Sequence, residues 1–268
     1  YKVGFGKFDL EHNFPEIAGR QVVCHFDFDL SGGEALEVKV ALSAVSTEGA
    51  LKNLAAECAG KSFETIAAEA ATTWEKALSV IEAQGSEDQL TMLYTSLYHT
   101  LINPSVYIDV DGCYRGLDHN IHRADGLTNY TIFSLWDTYR ALMPLYNLIN
   151  RSRSKDMTAS MLAHYDQSVH HILPIWSHMG NENWCMIGYH SVSVLSDAMT
   201  KGIEMDREKA LEAMVSSSRL PYYGGLEDYL KYGYVTLESS STAASNTYEY
   251  AYDHWAIAHA AQLMGRND

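Results

Sequence analysis

Ser134-Leu135-Trp136-Asp137-Thr138-Tyr139-Arg140 puts an indole, a carboxylate and a guanidinium within one helical turn. Residues three apart on a helix are neighbours, so Asp137 and Arg140 can meet. An indole face covers the apolar face of a sugar ring, and a carboxylate beside it accepts two hydroxyl hydrogen bonds. A purely structural reading competes: Ser134 as an N-cap with Asp137 as the acidic N3 residue.

Two further runs carry carboxylates. Gly180-Asn181-Glu182-Asn183-Trp184-Cys185-Met186 sets Glu182 beside Trp184 in a loop next to glycine, which suits a binding loop. A turn leading into a capped helix N-terminus fits the same residues. Tyr248-Glu249-Tyr250-Ala251-Tyr252-Asp253 places Glu249 and Asp253 one turn apart among aromatics. Like charges at that spacing repel mildly on a bare helix. The pair therefore serves either a sugar site, where carboxylate separation bears on acid–base roles, or salt bridges to neighbouring helices. His190 reads as a satisfied interface histidine.

Other patterns fall away. Asp109-Val110-Asp111-Gly112 opens like a calcium loop, but position 12 is Asn120 rather than Glu. His119 with His122, and His170 with His171, lack a third ligand in sequence. The cysteines at 24, 58, 113 and 185 form no zinc or redox spacing. No phosphate loop, nucleophile elbow or zincin motif is present.

The elements that must position these residues are mostly helices. Alternation from Cys24 to Leu30, the Ser31-Gly32-Gly33 turn and alternation from Leu36 to Leu42 predict a β-hairpin. Phe63, Ile66, Ala70, Trp74, Ala77 and Ile81 then fall at helical spacing, ended by Gly85. Ser86-Glu87-Asp88-Gln89 is a capping-box pattern that opens a helix stopped before Pro104. Residues 105–133 read as a hairpin excursion. Helices are expected at about 135–150, 155–165, 187–201, 207–218, 224–231 and 246–264. The division expected is 1–47 as the end of a β-sandwich, 48–86 as a helical linker and 87–268 as the first part of a helical toroid. The chain opens at Tyr1, mid-pattern and without Met, so it is expected to be a piece of a longer protein.

Composition narrows the function classes. A formal charge of −15 lacks the basic face that nucleic acid or anionic lipid requires. No run of about 18 apolar residues spans a membrane. The aromatic set, 18 Tyr and 5 Trp against 7 Phe, favours rings with polar tips, which suit either sugars or helix interfaces. Half a helical ring would expose apolar helix faces, through which self-association is expected.

Taken together, the runs Asp109-Val-Asp-Gly-Cys-Tyr-Arg-Gly, Asn129-Tyr-Thr-Ile-Phe-Ser-Leu-Trp-Asp-Thr-Tyr-Arg, Leu173-Pro-Ile-Trp, Gly180-Asn-Glu, Met186-Ile-Gly-Tyr-His and Tyr248-Glu-Tyr-Ala-Tyr-Asp resemble glycoside hydrolase family 92. They occur in that family's order with similar separations. The resemblance implies a mainly α chain, part of an (α/α)6 toroid preceded by the end of a β-sandwich domain and a helical linker. It implies exo-acting α-mannosidase activity, α-1,2 in preference, with inversion and calcium assistance, on mannose-containing glycans in a periplasmic or extracellular setting. Asp137 with Trp136 matches a motif that holds the terminal mannose; Arg140, Glu182, Glu249 and Asp253 are carried over as substrate-binding candidates. The family's acid, base and most calcium ligands belong to later motifs, whose Tyr-Thr-Glu-Gly-Asn and Gly-Asn-Glu-Asp runs are absent here. The resemblance therefore implies that the acid and base lie beyond Asp268. Gln167-Ser-Val-His-His departs from the family's usual Gly before Leu173. Two other readings remain: a non-catalytic carbohydrate-binding or scaffold module, and another (α/α)6 hydrolase using Glu182, Glu249 or Asp253.

Overall fold

Serines and an aspartate cap the starts of several helices. Ser46, Ser62, Ser86 and Asp206 each accept a backbone N–H of the first turn, which satisfies donors that no helical carbonyl can reach. The computed structural model describes residues 2–3, 6–7, 22–23, 25–33 and 35–266. They form two compact units, divided between Lys39 and Val40.

In the first unit, strands β1 (Lys2–Val3), β2 (Gly6–Lys7) and β3 (Val22–Val23) make a small antiparallel sheet in the order β2-β1-β3. The hairpin expected over 24–42 is not formed. Residues 25–33 and 35–42 hold no strand, although Leu30 and Gly33 do close the turn. Alternation makes a half-buried strand only where a second layer covers the apolar face, and Phe28, Val38 and Val40 stay exposed. Position 24 and residues 8–21 of the expected sandwich segment lie outside the described residues.

The second unit begins with α1 (Thr47–Cys58), α2 (Phe63–Leu78) and α3 (Glu87–Thr100). Both halves of the predicted capping box between Ser86 and Gln89 are made. The excursion at 105–133 is present: β4 (Ser105–Val106) pairs with β7 (Tyr130–Thr131), enclosing the hairpin of β5 (Cys113–Arg115) and β6 (Ile121–Arg123). Its Asp109 is buried and accepts from Ser43 Oγ at 2.6 Å and Asn53 Nδ2 at 2.9 Å. Lys52 holds the Asp111 carboxyl down at about 2. The calcium-like rhythm is thus a clamp for α1.

The helix expected at 135–150 is broken into α4 (Leu135–Thr138) and α5 (Leu142–Ile149) at Ala141, whose φ of −142° leaves the helical region. Then follow α6 (Arg151–Gln167), β9 (Trp176–His178), β10 (Asn181–Glu182), α7 (Ser191–Thr200), α8 (Arg207–Ser217), α9 (Leu226–Tyr232) and α10 (Ala243–Leu263). The helix expected from 187 starts only at Ser191, because Met186 and Gly188 take left-handed backbone. Strand β8 (Phe133–Ser134) joins β9 and β10 in an antiparallel sheet, β10-β9-β8.

Helix α7 packs between α5 and α10, while α6 and α8 pack behind it. This alternation of inner and outer helices brings the turn of α4, the entry to α7 and the first half of α10 to one mouth. Phe133, Leu135, Tyr146, Met161, Leu195, Met214 and Tyr250 fill the interior. Burying one such side chain contributes about 1.5–3 kcal/mol.

Candidate functional site

Leu135, almost fully buried, anchors the turn that leaves β8 and lifts the next two residues to the mouth. Ser134 makes no cap to the backbone; its hydroxyl donates to Asp137 instead. Asp137 is exposed and its carboxylate keeps further acceptor capacity. Arg140 folds back, donating from Nη2 to Trp136 O at 2.9 Å. Its guanidinium lies 4.9 Å from the Trp136 ring centroid and 4.8 Å from that of Tyr139, both within cation–π range.

Facing this turn, Glu249 and Asp253 reach from α10 to opposite nitrogens of one imidazole. His190 Nδ1 lies 2.7 Å from Asp253 Oδ1, and Nε2 lies 3.0 Å from Glu249 Oε2. The first contact is a hydrogen bond. The second is a close contact off the hydrogen-bond direction. The other Glu249 oxygen accepts Trp136 Nε1–H at 3.1 Å, and the other Asp253 oxygen accepts Tyr189 N–H at 2.8 Å. Tyr139 stacks on His190 at 4.1 Å. The result is one array, Trp136–Glu249–His190–Asp253, running from the mouth into the core.

Burial grades the array. Side-chain exposure falls from 20% for Glu249 to 1% for His190 and 0% for Asp253. Burial raises the Asp253 carboxyl, opposed by the hydrogen bond and charge of His190. Burial also pushes the phenols of Tyr189, Tyr223 and Tyr250 up, so these rings are neutral hydrogen-bonding groups.

Two expected substrate contacts need correction. Asp253 is sealed from solvent and serves His190. Glu182 is also turned inward, with a side chain 6% exposed. It accepts N–H groups from Ile175 (2.9 Å), Trp176 (2.8 Å) and Trp184 (3.0 Å), tying the β9–β10 hairpin to the loop beyond. Burial raises its carboxyl and those N–H groups oppose the rise. The His190 ring lies between Glu249 and Asp253. His190, read as an interface histidine, stands at the centre. Its sequence signals were its place at the entry to α7 and its position in the Met186-Ile-Gly-Tyr-His run.

Among the described residues no three His, Cys, Asp or Glu side chains converge to hold a metal ion. The residues present do not fit a calcium ion by themselves. Asp268, beyond which the family's acid and base are expected, itself lies outside the described residues.

The model of the glycosyl hydrolase family 92 catalytic domain matches residues 49–268. The chain belongs to family 92. It is similar to the family α-mannosidase BT3965 of Bacteroides thetaiotaomicron, solved in complex with mannoimidazole, with 47% identity and a TM-score of 0.81. That match covers 84% of this chain and 30% of that one. It is also similar to the inverting family 92 mannosidase BT2199 of the same species, with 36% identity and a TM-score of 0.77, covering 84% of this chain and 32% of that one. The chain thus spans about a third of the length of either. No curated protein matches it. The family 92 catalytic domain is an (α/α)6 toroid, and the inner and outer helices described above are part of that ring.

Proposed function

We propose that this chain is the sugar-holding part of an exo-acting α-mannosidase that removes terminal, α-1,2-linked mannose from glycans with inversion. The observation that carries this reading is the array at the mouth: an exposed Asp137, with Trp136 and Arg140 beside it, backed by a carboxylate that is locked on its inner side. Asp137 accepts sugar hydroxyls, Trp136 offers its ring and Arg140 offers the N–H groups not used on Trp136 O. Glu249 keeps lone pairs toward the mouth. His190 and Asp253 hold Glu249, and Glu182 holds the neighbouring loop.

Inversion needs a carboxylic acid and a carboxylate about 6.5–9.5 Å apart with sugar and water between them. The His190 ring lies between Glu249 and Asp253, and Glu182 is turned inward, which favours acid and base from other family motifs, beyond Asp268 in this reading. Calcium enters this reading from the family alone. No helix among the described residues is long and apolar enough to cross a membrane, and a periplasmic or extracellular setting is part of the proposal. So is packing of a second copy on the exposed aromatics Tyr248 and Trp255 of α10.

The test is mannose binding and mannose release by the purified chain, using methyl α-mannoside and α-1,2-mannobiose with calcium and then with chelator. Binding that Asp137→Asn weakens, without release, is the expected result. Calcium-dependent release would place the acid and base within these residues. No binding to either sugar would refute the reading.

A further inference from the structure

His164, on α6, takes no part in the Trp136 array. It is 8% exposed, and its Nε2 is sealed with no hydrogen-bond partner among the described residues. A buried polar nitrogen in that condition is costly unless it has a use. Nε2 lies 3.6 Å from Glu182 Oε2, too long for a hydrogen bond and close enough for one to form after a small shift.

The two Glu182 oxygens are unequal. Oε1 accepts from Trp176 and Trp184, while Oε2 accepts from Ile175 and is the one beside His164. Ile175 leads into β9 and Trp176 begins it. Trp176 pairs with Ser134 and Ser177 with Phe133 on β8, and Ser134 gives its hydroxyl to Asp137. The grip of Glu182 on β9 thus reaches the turn of Trp136 and Asp137 across one strand.

Other titratable groups around the pair are already engaged or neutral. Arg115 lines a cavity with His164, but its guanidinium serves Ala44 O, Val45 O and His119 O. Burial raises the phenols of Tyr107 and Tyr114 on that cavity, and of Tyr223, which feels the Glu182 charge. At the hairpin tip Asp118 pairs with His122 at 2.9 Å. On the outer side of α6, Asp166 pairs with Lys209 and Tyr165 donates to Glu212.

We propose that Glu182 and His164 form a one-proton switch beneath the sugar-holding turn: in acid Glu182 takes up a proton and donates it to His164 Nε2, loosening β9. The inference rests on the sugar-holding role of Trp136 and Asp137. The proton comes from water; Oε2 becomes O–H, and the pair passes from one negative charge to neutral. A hydroxyl oxygen accepts more weakly than a carboxylate oxygen, so the Ile175 N–H bond weakens first. His164 supplies what the acid form needs, an imidazole that burial keeps unprotonated and whose Nε2 is open in the Nδ1–H tautomer. Sugar favours ionised Glu182, so affinity is full above the midpoint of the pair and is lost as pH falls through it.

The experiment is calorimetry of methyl α-mannoside with the full chain between about pH 7 and 4, alongside sugar-free ¹³C and ¹⁵N–¹H spectra over that range. Affinity is expected to fall by up to about tenfold per pH unit below the midpoint. The Glu182 carboxyl, the Ser134 amide and the Trp136 indole are expected to shift together. Glu182→Gln cannot ionise and offers its amide to His164; it is expected to bind about threefold to tenfold more weakly at neutral pH, without the Glu182 step. His164→Gln keeps an acceptor and preserves the step, while His164→Leu removes the acceptor and moves the midpoint to lower pH. A profile unchanged in Glu182→Gln, or a Glu182 carboxyl that titrates while Ser134 and Trp136 stay still, would overturn the switch and leave the sugar site. Absence of mannoside binding at every pH would overturn the sugar site, and the sugar-free spectra then decide the switch by the same criterion.

Discussion

Replacing His190 with leucine keeps a side chain of similar bulk and removes the charge partner of two carboxylates. Asp253, 0% exposed, would keep only the Tyr189 N–H bond at 2.8 Å. Removing one partner of a buried ion pair costs about 3–5 kcal/mol, because the remaining charge is neither solvated nor paired. Loss of the Tyr139 stack at 4.1 Å adds about 1 kcal/mol. In an Asp253→Asn background the stranded charge is gone, and the same replacement costs about 1 kcal/mol, leaving a coupling above about 2 kcal/mol. Urea unfolding of the four proteins of this cycle, followed by far-UV circular dichroism at pH 7, measures both quantities. The expected functional companion is weaker mannose binding, since Glu249 and Trp136 lose their inner support. A cost below about 1 kcal/mol for His190→Leu alone, or additivity with Asp253→Asn, would refute the charged array.

Asp137→Asn, at an exposed position, is expected to change stability by no more than about 0.5 kcal/mol while lowering mannose affinity about tenfold, read by calorimetry as a loss near 1.4 kcal/mol. Burial holds His164 down at about 3, so its stabilising effect is complete above about 6.5 and is lost as pH falls toward 3, by roughly 1.4 kcal/mol per unit. His164→Leu is expected to flatten that slope between pH 6.5 and 4.5, measured as the difference in urea midpoints from the parent. Gly224→Ala meets both a φ of 47° and the Tyr250 hydroxyl, and is expected to cost about 1–3 kcal/mol. Tyr250→Phe, which removes that hydroxyl, is expected to recover part of the loss in thermal unfolding, and strict additivity would contradict the clash.

The array explains why aromatic rings with polar tips are so abundant here. His190 stacks on Tyr139, Tyr252 lies tilted against Tyr139 at 5.5 Å, and Tyr252 stacks on Trp255. Tyr189 and Tyr223 use their hydroxyls on the inner side of the mouth. Rings therefore act both as packing and as hydrogen-bonding groups between helices. Helix interfaces account for this composition as fully as sugar recognition does, and composition alone does not separate the two.

Local chemistry was legible in the residues. The cap at Ser86, the helical periodicity of 63–78 and 87–100, and the excursion enclosed by Val106 and Tyr130 follow from side chains acting on their own neighbourhood. The Trp136–Asp137–Arg140 turn was visible for the same reason. The inward turn of Glu182 and Asp253 was not, since a carboxylate in a linear sequence looks alike whether it meets water or a buried imidazole. That choice depends on contacts such as His190 with Asp253, 63 positions apart, made only when α7 packs against α10. The break at Ala141, the late start of α7 and the absence of strand among the described residues 25–42 have a related cause. Each follows from what the neighbouring layers cover or leave open, and tertiary packing alone settles that.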